Sequence, residues 1–338
     1  MSSPFYFQWH ITDVCNLRCR HCYQDNFTLK NDLDWNGLKT VCDNIFDALN
    51  SWNKKGLITL TGGEPLVKQE LIPLLEYLNE AKEIKEINII SNITLMDDRK
   101  IDELKKFKKL KKIKFSLEGI TAESNDSIRG KGSFEKIIKN LELLKSKKLF
   151  EIDLMFTLLK SNLKDVPKIF SFVKKMDLGG FILERFIPLG QSKALKKEVL
   201  SKDEWKNLVG LLADLCQVDC NLNDTLHLKA FWVKFHPKSR IPSLLGAPCT
   251  VGIDGLCIMP NADVFPCRRL NVPIGNLLKD DLTDIWEHSD VLFALRKKYN
   301  LKGKCSSCSI QYCRGCRALA YALKGDYLKE DLQCWYED

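Results

Sequence analysis

Six times in its first two thirds, the chain alternates a short run of β-branched or aromatic residues with a longer amphipathic stretch. That order calls for βαβ units and a parallel sheet, because parallel neighbours need a crossover long enough to hold a helix. The expected strands are Phe5–Thr12, Leu57–Thr61, Glu86–Ile90, Lys112–Leu117, Glu151–Leu158 and Gly180–Arg185. The expected helices are Asp34–Asn50, Lys68–Ala81, Asp98–Lys108, Ser133–Ser146, Leu163–Lys174 and Ser201–Val218. Asp98, Ser133 and Ser201 stand at helix starts as N-cap residues, the last with Glu204 three residues on. Six units fall two short of a closed eight-fold barrel. In a parallel barrel or an open sheet the ligand site lies at the carboxyl ends of the strands, so chemistry is sought just after each one.

Beyond Val218 the helical periodicity fades, Pro and Gly cluster, and eight cysteines fall between Cys249 and Cys334. This predicts a second domain, poor in regular structure and held together by whatever the cysteines bind. The chain therefore divides into residues 1–225 and, with a linker, 226–338. With 45% hydrophobic and 28% charged residues it is neither disordered nor collagen-like. The N-terminus has no signal peptide, and the apolar stretch from Val209 to Cys216 is broken by Asp214, so no membrane span is expected. A cytoplasmic protein with reduced thiols follows. The net charge of +8 is densest from Lys105 to Lys114, with seven lysines. We read that stretch as a solvated helix face; without interleaved aromatics it gives no reason to expect nucleic acid.

Directly after the first strand stands CNLRCRHC, with Cys15, Cys19 and Cys22. Thiolates so spaced on a loop converge on one metal centre, and soft sulfur ligands select Zn, Cu(I) or iron–sulfur clusters. Structural zinc and electron-transfer [4Fe–4S] clusters take four protein ligands, so three leave one iron open to bind and activate something. His21 lies between two of the ligands with its ring expected to face away. Neither C-x-x-C is followed by His, which excludes a c-type haem. After the second strand comes Gly62-Gly63-Glu64-Pro65, whose glycines admit a close approach of backbone and whose Glu64 offers a carboxylate to an ammonium. Ser91 and Asn92 follow the third strand, and Ser116 and Glu118 end the fourth, all polar groups suited to hydroxyls.

The cysteine motif C-x3-C-x-φ-C, with His21 at φ and Tyr23 following, resembles the signature of the radical S-adenosylmethionine (SAM) superfamily. The resemblance implies a partial (β/α)6 barrel of the TIM type. It also implies a [4Fe–4S] cluster whose open iron chelates SAM, and one-electron cleavage to a 5′-deoxyadenosyl radical that abstracts a substrate hydrogen. It assigns Gly62, Gly63 and Glu64 to the methionyl amino group, and Ser91, Asn92, Ser116 and Glu118 to the ribose, with Glu118 standing where Asp is usual. Arg129, in IRGKGSF, and Arg185, in LERFIPLGQS, resemble arginines near the SAM carboxylate and the active-site rim. Their alternative is an ordinary ion pair.

The C-terminal ligand-type cysteines are Cys249, Cys257, Cys267, Cys305, Cys308, Cys313, Cys316 and Cys334. Taken alone, C-x2-C-x4-C-x2-C would suggest a zinc knuckle. With PNADVFPCRR, IGNLLKDDLTDIW and CRGCRALAYALKGD around them, they resemble the SPASM extension of radical SAM enzymes, which implies an irregular Cys-rich domain with two auxiliary [4Fe–4S] clusters. The family's interleaved pattern gives Cys249, Cys257, Cys267 and Cys316 to the first and Cys305, Cys308, Cys313 and Cys334 to the second. Shortened gaps around Cys313 leave the assignment of Cys313 and Cys316 open. Full ligation by Cys points to electron transfer. Of the rest, Cys42 is expected in the core, Cys216 and Cys220 four apart on one helix, and His227 and His236 in packing or surface roles.

The SPASM resemblance most often accompanies maturation of ribosomally made peptides or proteins: crosslinks, epimerisation, or oxidation of Ser or Cys. A peptide substrate is therefore expected, with a flavodoxin- or ferredoxin-type electron donor. Only fourteen residues precede Cys15, so a separate leader-binding protein is expected too. The runner-up is tetrapyrrole side-chain chemistry in a haem pathway, which CRGCRALAYALKGD also resembles; a non-enzymatic iron–sulfur or zinc scaffold would leave GGEP unexplained. The catalytic acid or base is not identifiable, because such a group is recognised by its reach to the substrate.

Overall fold

The computed structural model describes residues 3–336 apart from 237, 238, 240 and 311. The ends of both expected domains, residues 1–2 and 337–338, lie outside the described residues. Six parallel strands form the barrel wall: β1 (Phe5–His10), β2 (Gly56–Thr61), β3 (Ile84–Ser91), β4 (Leu110–Ser116), β5 (Glu151–Leu158) and β6 (Gly180–Arg185). Side chains alternate across that wall, as a period of two requires. Phe7, Trp9, Leu60, Ile89, Phe115, Phe156 and Leu183 enter the apolar core. Their neighbours Gln8, Thr61, Ile90, Ser116, Met155, Thr157 and Glu184 line a central cavity.

The outer layer is α1 (Trp35–Ser51), α2 (Leu71–Glu80), α3 (Asp98–Leu104), α4 (Ala122–Arg129), α5 (Ser133–Ser146), α6 (Val166–Lys175) and α7 (Lys202–Leu215). Buried Leu38, Val41, Ile45 and Leu49 of α1, and Cys42 with them, form the stripe that packs on the sheet. α4 is the one helix of this half without a sequence expectation. A reciprocal cap between Thr121 and Ser124 starts it, and Gly130 ends it at φ 107°. The lysine-rich stretch is not a single helix face: α3 ends at Leu104, and Lys112 pairs with Glu151 across two strands at 2.6 Å. Cys216 caps α7 and Cys220 lies exposed beyond it, so the two do not share a helix face.

The C-terminal third holds more regular structure than its composition suggests. β7 (Leu228–Lys234) and β8 (Ser243–Pro248) extend the sheet antiparallel beyond β6. β9 (Gly255–Ile258) pairs parallel with β1 on the opposite side, followed by antiparallel β10 (Asp263–Phe265) and β11 (Gly275–Asn276). One eleven-stranded sheet results, in the order β11-β10-β9-β1-β2-β3-β4-β5-β6-β7-β8. Short helices α8 (Leu282–His288), α9 (Asp290–Arg296), α10 (Lys304–Ser307) and α11 (Arg317–Lys324) complete the chain. The segment after β10 then crosses to the end of β6: Arg269 donates to the carbonyl of Arg185 and pairs with Glu184, both at 2.8 Å. Residues of the C-terminal third thereby close the side of the chamber that six strands leave open.

Candidate functional site

The cavity, open to solvent, lies at the carboxyl ends of β1 to β6. Its base is the loop carrying Cys15, Cys19 and Cys22, and neighbouring loops hold that loop by its backbone. Gly63 N–H donates to Thr12 O and Glu64 N–H to Val14 O, each at 2.8 Å. A Cβ on Gly62 would sit 2.4 Å from Thr12 O, and one on Gly63 2.2 Å from Val14 O. The glycines are therefore required by the seating of the GGEP turn on the cysteine loop, a reason additional to any ligand. On the other flank, Gln191 Nε2 donates to Cys19 O at 2.9 Å and Ser192 N–H to Cys22 O at 3.1 Å. Gly190, just before them, approaches Tyr23 so closely that a Cβ would lie 2.1 Å from its carbonyl oxygen. Sequence reasoning missed Gln191 and Ser192, although the motif LGQS just after a barrel strand was the available signal.

Glu64 is fully buried, accepting from Ser91 Oγ and Asn92 N–H at 2.7 Å and from Leu66 N–H at 3.1 Å. Burial raises its carboxyl above the ordinary value, partly offset by these donors. Ser91 thus supports Glu64, while Asn92 Nδ2 reaches Asn16 Oδ1 at 2.9 Å and Cys15 Sγ at 3.9 Å. Ser116 lines the cavity. Glu118 has both oxygens engaged, one by Arg129 and the other 3.5 Å from His21 Nε2. Burial alone would raise its carboxyl, but the charges of Arg129 and His21 hold it at about 2. His21 does not face away: it lines the cavity toward Glu118. Arg129 Nη1 also lies 3.9 Å from Cys19 Sγ. Arg185, 5% exposed, pairs with Asp331 at 3.0 Å, a partner 146 residues away. His227 and His236 are not among the cavity's lining residues; His236 bonds Ser243 at 3.0 Å.

None of the fourteen cysteines is in a disulfide. Burial pushes the Cys15 thiol up to about 11 and Cys19 to about 12, so binding a soft metal must displace protons from them. In the C-terminal third, Cys249, Cys267 and Cys316 lie near enough for their thiolates to repel one another, and Cys257 feels Cys267. Cys334 is close to Cys305. Cys15, Cys267, Cys308 and Cys313 each accept a backbone N–H from two residues on at 3.4 Å. Among the described residues, no three Cys, His, Asp or Glu side chains gather closely enough to hold a single metal ion. Donor sets made of sulfur alone suit iron–sulfur clusters.

Residues 9–173 match the radical SAM superfamily and residues 249–309 match SPASM, an iron–sulfur cluster-binding domain. The chain belongs to the radical SAM superfamily. This radical SAM/SPASM enzyme is 26% identical to an AdoMet-dependent heme synthase of Methanosarcina barkeri, over 99% of this chain and 97% of the relative. It is 25% identical to the mycofactocin maturase MftC of Mycolicibacterium smegmatis, over 93% and 78%. The structure of Streptococcus suis SuiB bound to its precursor peptide SuiA superposes with a TM-score of 0.72 at 18% identity, covering 99% of this chain and 77% of that one. That likeness establishes the fold. The family's cofactors are SAM, a SAM-binding [4Fe–4S] cluster and auxiliary clusters. No helix among the described residues is long and apolar enough to cross a membrane.

Proposed function

We propose that this enzyme abstracts a hydrogen atom from a tetrapyrrole side chain. The carrying observation is the end-to-end match to AdoMet-dependent heme synthases, including the Methanosarcina barkeri protein and a 24% identical one from Oleidesulfovibrio alaskensis. A peptide or protein substrate, delivered by a separate leader-binding protein, is the second reading, supported by the similarity to MftC over 93% of this chain.

Cys15, Cys19 and Cys22 would hold the SAM-binding cluster; when bound, it supplies one-electron cleavage of SAM and so hydrogen-atom abstraction. Gly62, Gly63 and Glu64 receive the methionyl amino group, with Glu64 as its buried counter-charge. Asn92 and Ser116 serve the ribose. Ser91 and Glu118, spent on Glu64 and Arg129, act by orienting them. Arg185, held by Asp331, anchors the C-terminal segment at the chamber rim. Cys249, Cys257, Cys267 and Cys316 form one auxiliary set and Cys305, Cys308, Cys313 and Cys334 the other, relaying electrons to or from a flavodoxin- or ferredoxin-type protein.

The test is anaerobic incubation of the reconstituted enzyme with SAM, reductant and an iron porphyrin bearing propionate side chains, followed by mass spectrometry. A porphyrin mass change in step with 5′-deoxyadenosine supports the reading. An unchanged porphyrin, alongside a mass change in a short peptide encoded beside the gene, replaces it with the second.

A further inference from the structure

Four arginines line the chamber and three of them are neutralised: Arg129 by Glu118, Arg185 by Asp331 and Arg269 by Glu184. Arg268 has no carboxylate partner among the described residues. It is 8% exposed, and its Nε donates to His10 Nε2 at 2.8 Å. Its guanidinium lies over the ring of Tyr23, and neither Nη1 nor Nη2 has a hydrogen-bond partner. His10 supplies no negative charge, and a tyrosine ring offers only its π face. A buried cation is costly without an anion, so a chamber built this way expects one to arrive.

The surroundings identify that anion. Tyr23, on which the guanidinium rests, follows Cys22, and His10 ends the strand that leads into the cysteine loop. Arg268 and Cys22 line the same cavity. Cys22 is also the one cysteine whose charge acts on Arg268. Arg268 itself follows Cys267, so a residue next to a C-terminal cysteine lines the chamber that the N-terminal trio also lines.

We propose that Arg268 is the counter-ion of the N-terminal cluster, its free Nη groups donating to the sulfur shell around Cys22 and its charge easing the cluster's reduction. The physical reason is that reduction adds a negative charge, which a nearby buried cation stabilises more than it stabilises the oxidised form. The C-terminal third thereby completes the electrostatics of a site whose ligands all come from the barrel. The proposal rests on the cluster reading above.

The experiment is an EPR-monitored redox titration of full-length, anaerobically reconstituted wild type, R268Q and R268K. The N-terminal cluster is recognised as the signal that changes on adding SAM and that is missing when Cys15, Cys19 and Cys22 are all replaced by alanine. R268Q is expected to load iron like wild type, with the reduction equilibrium of that signal weakened about tenfold, 59 mV for one electron. R268K, which keeps the charge but loses the fork of donors, is expected to fall between. A wild-type potential in R268Q overturns the proposal. So does weakened SAM binding at an unchanged potential, which would make Arg268 a ligand of the SAM carboxylate instead. If R268Q loads too little iron to titrate, R268M, a second uncharged replacement, decides, since a wild-type potential there also overturns it. Absence of any SAM-responsive signal in wild type would sink the cluster reading itself, and Arg268's role with it.

Discussion

Replacing Gly63 by alanine puts a methyl carbon 2.2 Å from Val14 O and 2.7 Å from Asp13 O. Both neighbours are backbone, and neither is a flexible side chain that can swing aside. Ordinary contact begins near 3.4 Å, so the GGEP turn and the cysteine loop must part by about 1 Å, against tight packing on both sides. Their two 2.8 Å hydrogen bonds, Gly63 N–H to Thr12 O and Glu64 N–H to Val14 O, are strained or lost in the process. Overpacking of this kind costs about 1–3 kcal/mol, which a thermal melt registers. The larger consequence is chemical, because Val14 precedes Cys15 and Glu64 is tied to Ser91 and Asn92. A misplacement of about 1 Å at a reacting centre costs on the order of 100-fold in rate. Anaerobic 5′-deoxyadenosine formation, measured beside iron content, reads that loss. Gly210→Ala is the control: it lies in α7 with its nearest neighbour, Leu222 Cδ1, at 3.7 Å, and should leave both quantities unchanged. A wild-type rate in Gly63→Ala would refute the claim that the close approach of these two loops sets the site.

Asp331→Asn leaves Arg185 without its buried counter-ion and should destabilise by about 3–5 kcal/mol, lowering the melting temperature; an unchanged melt would mean that the pair contributes nothing to the fold. Asn44 of α1 joins the barrel to the C-terminal third by donating to Leu277 O and Asp280 O and accepting from Leu282 N–H. Asn44→Ala should cost about 1–3 kcal/mol and speed limited proteolysis of residues 277–282, and equal cleavage rates would contradict this. Asp126 ties the turn between α4 and α5, accepting from Gly132 N–H, Phe134 N–H and Ser133 Oγ. Partial burial would raise its carboxyl, yet these donors hold it below the ordinary value, so its contribution is complete above about pH 4 and fades as pH falls through the depressed value. Urea melts of Asp126→Asn should accordingly lose less stability than wild type between about pH 5 and pH 3; identical losses would remove Asp126 from the account.

The six strand–helix units were readable because each parallel strand is a short apolar run and each helix carries a long amphipathic stripe. α4 was not, since AESNDSIR has few apolar positions and only its Thr121–Ser124 cap marks it. The strands of the C-terminal third were hidden for another reason: β9 finds its partner in β1, some 250 residues earlier, and pairing at that range leaves no local pattern. The same limit applies at the site. The cysteines and GGEP announce themselves by spacing, whereas nothing in CRR distinguishes Arg269, bound to Glu184, from Arg268, whose Nη groups have no hydrogen-bond partner. Arg185 resembled a ligand contact, and only the fold shows its link to Asp331.

The central claim is that three thiols on the first barrel loop hold a cluster able to cleave SAM while eight others hold two more. Anaerobic reconstitution of wild type and of the Cys15, Cys19 and Cys22 triple alanine variant, with iron and 5′-deoxyadenosine both quantified, tests it. The account predicts about twelve irons per chain and SAM cleavage for wild type, against about eight irons and none for the variant. Zinc in place of iron, about four irons in wild type, or cleavage that survives loss of the three cysteines would contradict it.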